Sequence, residues 1–187
     1  MIAKQKVIFL DRDGVINVDF GYVYRWENFL LTRRCISALK TFLRLGYKLI
    51  LVSNQSGIAR GYFTESDLNY LHEKLISYLK YNNINILDIF YCPHFSGGVV
   101  AKFSIECSCR KPKPGMVLAA ADLHNIDLEK SFLVGDNLTD IKAGHDAGVG
   151  CNVLISKENL IINRPHHVDK QFRDVKDFSN YLNNLSK

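Results

Sequence analysis

Two aspartates and a glycine follow directly on an apolar run. In Lys6-Val-Ile-Phe-Leu-Asp11-Arg-Asp13-Gly14, the acids Asp11 and Asp13 stand two positions apart. Residues i and i+2 of an extended chain point the same way, so both carboxylates can face one ligand while Arg12 faces elsewhere. Carboxylates this close repel unless a cation or a shared proton relieves them. The pair therefore suits a hard divalent metal such as Mg2+, bound through oxygen, and a phosphate-bearing substrate. A strand followed by an ordinary Asp-Gly turn explains the same residues, so the motif alone leaves both readings open.

Two further apolar runs also end in polar groups. Lys48-Leu-Ile-Leu-Val-Ser53 leads into Asn54-Gln55-Ser56-Gly57, and Phe132-Leu-Val-Gly135 leads into Asp136, with Asp140 four residues later. Hydroxyl and backbone N–H donors after Ser53 could hold phosphate oxygens, although Asn, Ser and Gly also make routine turns. Asp140, one helical turn past Asp136, either steadies the site by hydrogen bonding or favours a helix N-terminus; support rather than direct ligation is the reading adopted.

A second constellation is built from softer ligands. Cys92-Pro-His94 and Cys107-Ser-Cys109 flank twelve intervening residues. Four such ligands suit tetrahedral Zn2+, and with no open coordination position the metal would be structural, fixing a loop of about 92–110. The spacing is unlike the usual C-x-x-C finger. Unrelated buried cysteines and a surface histidine are the alternative.

The elements that must position these groups alternate regularly. Helical spacing and Gly46 as a stop predict a helix over about Arg34 to Leu45, and Thr64 with Glu65 and Asp67 starts another running to about Tyr81. Leu87 to Tyr91 reads as a short strand, and Cys92 to Pro114 as a long irregular loop. Pro114 opens a helix over Met116 to Leu123. Asp140 to Ala147 continues as a helix closed by Gly148. Cys151 to Ile155 is a fifth strand, and Val175 to Leu185 a closing helix.

Strands alternating with helices imply an α/β fold, a three-layer Rossmann-like arrangement on a mostly parallel sheet. Its ligand crevice lies at the carboxyl ends of the strands. Asp11, Ser53 and Asp136 occupy three such ends, so a turn explanation must be invoked three separate times.

With 187 residues and 47% hydrophobic content the chain supports one buried core, so residues 1–187 read as a single domain. The net charge of +5 permits an anionic partner. Lys and Arg are scattered rather than striped, which disfavours nucleic acid and fits an anionic small molecule equally well. No stretch has the length of a signal-peptide core or a membrane span, so a cytoplasmic protein without a membrane partner is expected. Five cysteines, an odd count, fit metal binding or burial better than a disulfide framework. Cys35 and Cys151 fall inside a helix and a strand and read as core. His72, His124, His166 and His167 read as surface or tail residues, and His145 as an ordinary helix residue.

Taken in order, D11-R-D13-G-V, Ser53, Lys111 in C-R-K-P and G135-D136-N-L-T-D140 resemble the four motifs of the haloacid dehalogenase-like phosphatases. The resemblance implies that Asp11 attacks phosphorus to give an aspartyl-phosphate while Asp13 protonates the leaving oxygen and later activates water. It also implies Mg2+ held by the Asp11 carboxylate, the Asp13 backbone carbonyl and Asp136. Ser53 and Lys111 would stabilise the transferring phosphoryl group. Lys111 also has an ordinary reading, as an exposed lysine before a proline. Little room remains for a separate cap domain, so the zinc loop and the Asp19 to Tyr22 loop would shape the pocket.

The segments G-Y-V-Y, S-N-Q-S-G-I-A-R-G-Y-F, Y-C-P-H and C-S-C-R-K-P-K-P-G-M are similar to the D-glycero-D-manno-heptose 1,7-bisphosphate phosphatases, over about Val7 to Gly150. That family removes the C7 phosphate in the route to nucleotide-activated heptose and lipopolysaccharide or another surface glycan. The resemblance implies substrate recognition by Asp19, Phe20, Gly21, Tyr22, Ser53, Asn54, Gln55, Ser56, Arg110, Lys111 and Asn137. Position 137 is often lysine in that family; the amide of Asn137 brings no charge, which bears on phosphate affinity and anomer preference. Histidinol-phosphate phosphatase is the enzymatic alternative, and a zinc-stabilised nucleic-acid-binding module the non-enzymatic one. A small sugar phosphate as partner and a monomeric state complete the expectation.

Overall fold

In the computed structural model, residues 3–157 and 167–186 are described. Among these residues six strands form one sheet: β1 (Val7–Leu10), β2 (Lys48–Asn54), β3 (Asp88–Cys92), β4 (Phe132–Gly135), β5 (Cys151–Ile155) and β6 (Lys170–Phe172). Their order is β3-β2-β1-β4-β5-β6, and every neighbouring pair is parallel. The fold class expected from the alternation holds, with the sheet wholly rather than mostly parallel. Strand β6 has no counterpart among the expected elements: three residues, Lys-Gln-Phe, carry no apolar run, and pairing with β5 alone makes them a strand.

Among the described residues five helices cover the sheet: α1 (Cys35–Arg44), α2 (Glu65–Tyr81), α3 (Gly115–His124), α4 (Leu138–Ala147) and α5 (Val175–Leu185). The period-two alternation of strand side chains divides the core. Ile8 and Leu10 pack with α1, α2 and α5 on one face, while Val7 and Phe9 pack with α3 and α4 on the other. Helix ends follow local chemistry. Thr64 and Asp67 form a reciprocal capping box at the start of α2, and Gly148, at φ 84°, closes α4 in the left-handed conformation.

Three histidines depart from the surface reading: His72, His124 and the half-buried His167. His72 is 6% exposed; four positions after Leu68 and three before Leu75, it lies on the apolar stripe of α2. Its ring meets Tyr91 edge-on, with centroids 5.9 Å apart. Burial, with Arg12 adding to it, pushes its pKa down to about 3, so it is neutral. His124 is paired, its Nε2 2.8 Å from Asp88. His145 packs against His167, with ring centroids 4.1 Å apart and the rings tilted by 38°. Cys35 is buried and Cys151 half-buried. His166 lies outside the described residues.

The chain leaves β1 towards the α1 face and leaves β4 towards the α4 face, although the two strands are neighbours. Connections that diverge to opposite faces open a crevice between the strand ends, the place where such sheets bind ligands. Asp11 and Asp136 are the residues immediately beyond β1 and β4.

Candidate active site

The carboxylates converge at that crevice. Asp11 is tied to the neighbouring strand by its backbone N–H, which donates to the Val134 carbonyl at 2.9 Å. Asp136 follows β4 directly, and Asp140 lies in the first turn of α4. One oxygen from each of Asp11, Asp136 and Asp140 lies within 4.8 Å of the others. Two glycines make the room. A Cβ on Gly14, at φ 81°, would strike the Asp136 carboxylate, and one on Gly135 would strike Asp140.

Lys111 is not the exposed lysine that its proline neighbour allows; it is 3% exposed. Its Nζ donates to Asp11 Oδ1 at 2.8 Å and to the Val52 carbonyl at 2.7 Å, and lies 2.7 Å from Asp140 Oδ1. These three partners match the three protons of an ammonium. The Asn54 amide fixes the Lys111 backbone from both sides, donating to its carbonyl and accepting from its N–H at 3.0 Å each. Asp140 has both oxygens engaged, Oδ1 by Lys111 and Oδ2 by the Asn137 N–H at 3.0 Å.

The electrostatics call for a cation. Burial pushes Asp11 up to about 8, with Lys111 opposing the shift and Asp140 adding to it. Loss of solvent and the charge of Asp140 push Asp136 up to about 6, although it opens onto the cleft. For Lys111, burial acts downward but is outweighed by Asp11 and Asp140, which hold it above its ordinary value. Three carboxylates against one ammonium leave surplus negative charge that a divalent cation bound through oxygen would neutralise.

Asp13 is held by residues the motif did not announce. Arg12 turns into the core and is fully buried, yet its Nη2 donates to both Asp13 oxygens at 2.9 and 2.8 Å and to the Val23 carbonyl at 2.6 Å. The guanidinium thus points away from the cleft but grips the acid beside it. Asn17 Nδ2 and Gln55 Nε2 each donate to the same carboxylate at 2.9 Å. Gln55 also donates to Ser53 Oγ at 2.8 Å, joining the ends of β1 and β2. A basic residue between two acids at a strand end was the available signal for Arg12.

These groups line a cleft of about 520 Å³. Asp11, Asp13, Asp19, Gly21, Tyr22, Ser53, Asn54, Gln55, Ser56, Arg110, Lys111, Asp136 and Asn137 all contribute to its wall, with Thr139 and Asp140. Phe20 does not; it is 65% exposed and lines an adjoining hollow with Tyr24 and Phe29. Asn137 also caps α4, its side chain accepting the Thr139 N–H at 3.1 Å.

Beside the cleft, Cys92, His94, Cys107 and Cys109 come together. Cys92 Sγ lies 3.1 Å from Cys109 Sγ and 3.6 Å from Cys107 Sγ, and His94 Nδ1 lies 3.4 Å from Cys109 Sγ. No pair is a disulfide. Sulfurs about 2.3 Å from a tetrahedral centre would stand roughly 3.8 Å apart, so the cluster needs only slight expansion to hold one metal ion. Arg110 and Lys111 follow Cys109 directly, so the loop delivers both cations to the cleft.

A family model described as HAD-hydrolase-like matches residues 108–174. The D-glycero-alpha-D-manno-heptose-1,7-bisphosphate 7-phosphatase of Photorhabdus laumondii is 47% identical over 146 residues, 78% of this chain and 80% of that protein. The chain belongs to the heptose-1,7-bisphosphate 7-phosphatase family. A second member, the D-glycero-beta-D-manno-heptose-1,7-bisphosphate 7-phosphatase of Escherichia coli K12, is 46% identical over 155 residues, 83% of this chain and 81% of that protein. The crystal structure of the D,D-heptose 1,7-bisphosphate phosphatase of B. bronchiseptica, complexed with magnesium and phosphate, is 29% identical. It superposes with a TM-score of 0.84 over 97% of this chain and 99% of that one. Family members are thus phosphomonoester hydrolases of the haloacid dehalogenase-like superfamily. Among the described residues no helix is long and apolar enough to cross a membrane.

Proposed function

We propose that this chain hydrolyses the C7 phosphate of D-glycero-D-manno-heptose 1,7-bisphosphate, giving heptose 1-phosphate for nucleotide-activated heptose and a surface glycan. The observation that carries the reading is the charge layout of the cleft, in a chain 46% identical to such phosphatases over four fifths of its length. Three carboxylates and a saturated lysine stand at the strand ends. Among the described lining residues Arg110 is then the cation left for a second phosphate.

Asp11 is the nucleophile in this reading: its carboxylate oxygen bonds to phosphorus as the bond to the sugar O7 breaks. Asp13 gives O7 its proton, then takes a proton from the water that cleaves the aspartyl-phosphate and releases inorganic phosphate. Mg2+, held by Asp11, the Asp13 carbonyl and Asp136, would neutralise charge on the phosphoryl oxygens. Ser53 would donate to the same oxygens and Lys111 would act on them through its charge, its three N–H groups being taken by Asp11, Asp140 and the Val52 carbonyl. Asp140 keeps Lys111 aimed, and Asp19, Gly21, Tyr22, Ser53 to Ser56, Arg110 and Asn137 recognise the sugar phosphate.

Zn2+ is the metal proposed for the Cys92, His94, Cys107 and Cys109 cluster, on the chemistry of three thiols and one imidazole. A single domain spanning 1–187 is likewise inferred, because one sheet carries both core faces.

Phosphate release should be measured with Mg2+ and with EDTA on the α and β heptose bisphosphates, fructose 1,6-bisphosphate and histidinol phosphate, with Asp11→Asn as the blank. Preference for a heptose bisphosphate is expected. Preference for histidinol phosphate would move the chain to histidine biosynthesis, and no release from any of them would overturn the catalytic reading.

A further inference from the structure

Arg60 belongs to none of the groups described above, yet it joins the two loops that wall the cleft. Its guanidinium carbon stands 3.9 Å from the ring centroid of Phe95 in the cysteine-bearing loop and 6.0 Å from that of Tyr22 in the substrate loop. Among the described residues its Nε is buried with no hydrogen-bond partner. Contact with aromatic faces, rather than hydrogen bonding at that nitrogen, is what holds this side chain. Arg110, the cation left facing the cleft, lies over the same Phe95 ring, 5.5 Å from its centroid.

The backbone supports the same join. The N–H groups of Val99 and Val100 both donate to the Ala59 carbonyl, at 2.8 and 2.9 Å. A Cβ on Gly98 would collide with that carbonyl, so the two segments meet in backbone contact. Tyr22 is fixed in turn against Tyr62, two residues beyond Arg60, with centroids 4.7 Å apart and an edge-on geometry.

Among the described residues Arg110 itself is lightly restrained: one hydrogen bond, Nη1 to the His94 carbonyl at 3.3 Å, accompanies its contact with Phe95. A guanidinium carries five N–H donors, so several stay available to an anion, but their aim depends on what fixes the plane. The Phe95 ring is the aromatic surface beside it, and Arg60 packs on that ring.

We propose that Arg60, acting through Phe95, is a positioning residue for Arg110 and so determines how tightly the cleft grips the substrate phosphate that is not transferred. This rests on the heptose bisphosphate reading above. Arg60 touches neither the carboxylates nor Lys111, so it bears on specificity and not on the chemical step.

The test compares kcat and KM on heptose 1,7-bisphosphate and on heptose 7-phosphate, which lacks the second phosphate, for wild type, Arg60→Met, Arg60→Lys, Phe95→Leu, Arg110→Met and the Arg60→Met/Arg110→Met double variant. Arg60→Met and Phe95→Leu should each raise KM for the bisphosphate about tenfold, with kcat within about twofold and KM for the monophosphate little changed. Lysine should not rescue, because it lacks the planar face. The double variant should be no worse than Arg110→Met, as expected when one residue acts through the other.

Additive losses, full rescue by lysine, or equal KM increases on both substrates would overturn the inference. Should Arg60→Met fail to fold, Phe95→Leu carries the same comparison. Wild-type turnover with an unmoved KM in the variants sinks the inference alone. Absence of wild-type turnover on either heptose sinks the proposed function, and the inference with it.

Discussion

Lys111 Nζ lies 2.8 Å from Asp11 Oδ1, and the lysine side chain is 2% exposed. A strand-end acid and a residue one hundred positions later thus share one buried contact. Removing the ammonium leaves Asp11 and Asp140 facing each other uncompensated. Lys111→Met should cost about 3 kcal/mol of stability and lower kcat by roughly a thousandfold. Chemical denaturation and steady-state kinetics check the two figures separately; a variant of wild-type stability would contradict the buried-pair argument.

Asp136 offers a pH test. Its folded pKa of about 6 stands above the ordinary 3.8, so the metal-free folded chain binds more protons than the unfolded chain between those values. The contribution is fully present below about pH 4 and is lost as pH rises through about 6. Metal-free protein should therefore lose stability across that window, and Mg2+ should offset the loss because it binds the deprotonated form. Asp11, raised to about 8, adds a loss of the same sign that extends to higher pH. Thermal melts from pH 4 to 8 with and without Mg2+ read the two acids together, and Mg2+ affinity measured by calorimetry should weaken as pH falls below about 8 and further below about 6.

Asp140 should act on the metal without touching it. Its two oxygens fix Lys111 and the Asn137 N–H, so Asp140→Asn loosens both. A loss of roughly 10- to 100-fold in Mg2+ affinity or turnover is expected, the range for partners that orient a metal ligand set. An undiminished Mg2+ affinity together with wild-type turnover would contradict the support role.

The thiol cluster makes a separable prediction. Cys107→Ala should reduce bound zinc below one equivalent and lower Tm by roughly 10 °C, corresponding to about 3 kcal/mol. Elemental analysis and melting curves measure the two effects. Full retention of zinc would remove Cys107 from the ligand set.

Asn137→Lys tests a position with two duties. Loss of the cap on α4 should cost about 1 kcal/mol, while the added charge at the cleft should lower KM for a bisphosphate. Destabilisation with unchanged KM would confine position 137 to the helix cap.

Much of this was legible in the residue order. The unbroken apolar run of Val7 to Leu10 predicts a strand covered on both faces, and Asp11, Ser53 and Asp136 at the ends of separate apolar runs mark one edge of a parallel sheet. The paired cysteines and His94 announce their own cluster. Such signals are local: they depend on the chain's own period and on spacings of a few residues. Sequence alone could not say that Lys111 is buried, that Arg12 grips Asp13 from the core side, or that His72 is buried while His124 pairs with Asp88. Nor could it give β6, whose three residues become a strand only because β5 offers them an edge. Those outcomes depend on which distant segments share a neighbourhood, and the contacts of Lys111 with Asp11 and Asp140 exist only once β1, β4 and the cysteine-bearing loop have been brought to one end of the sheet.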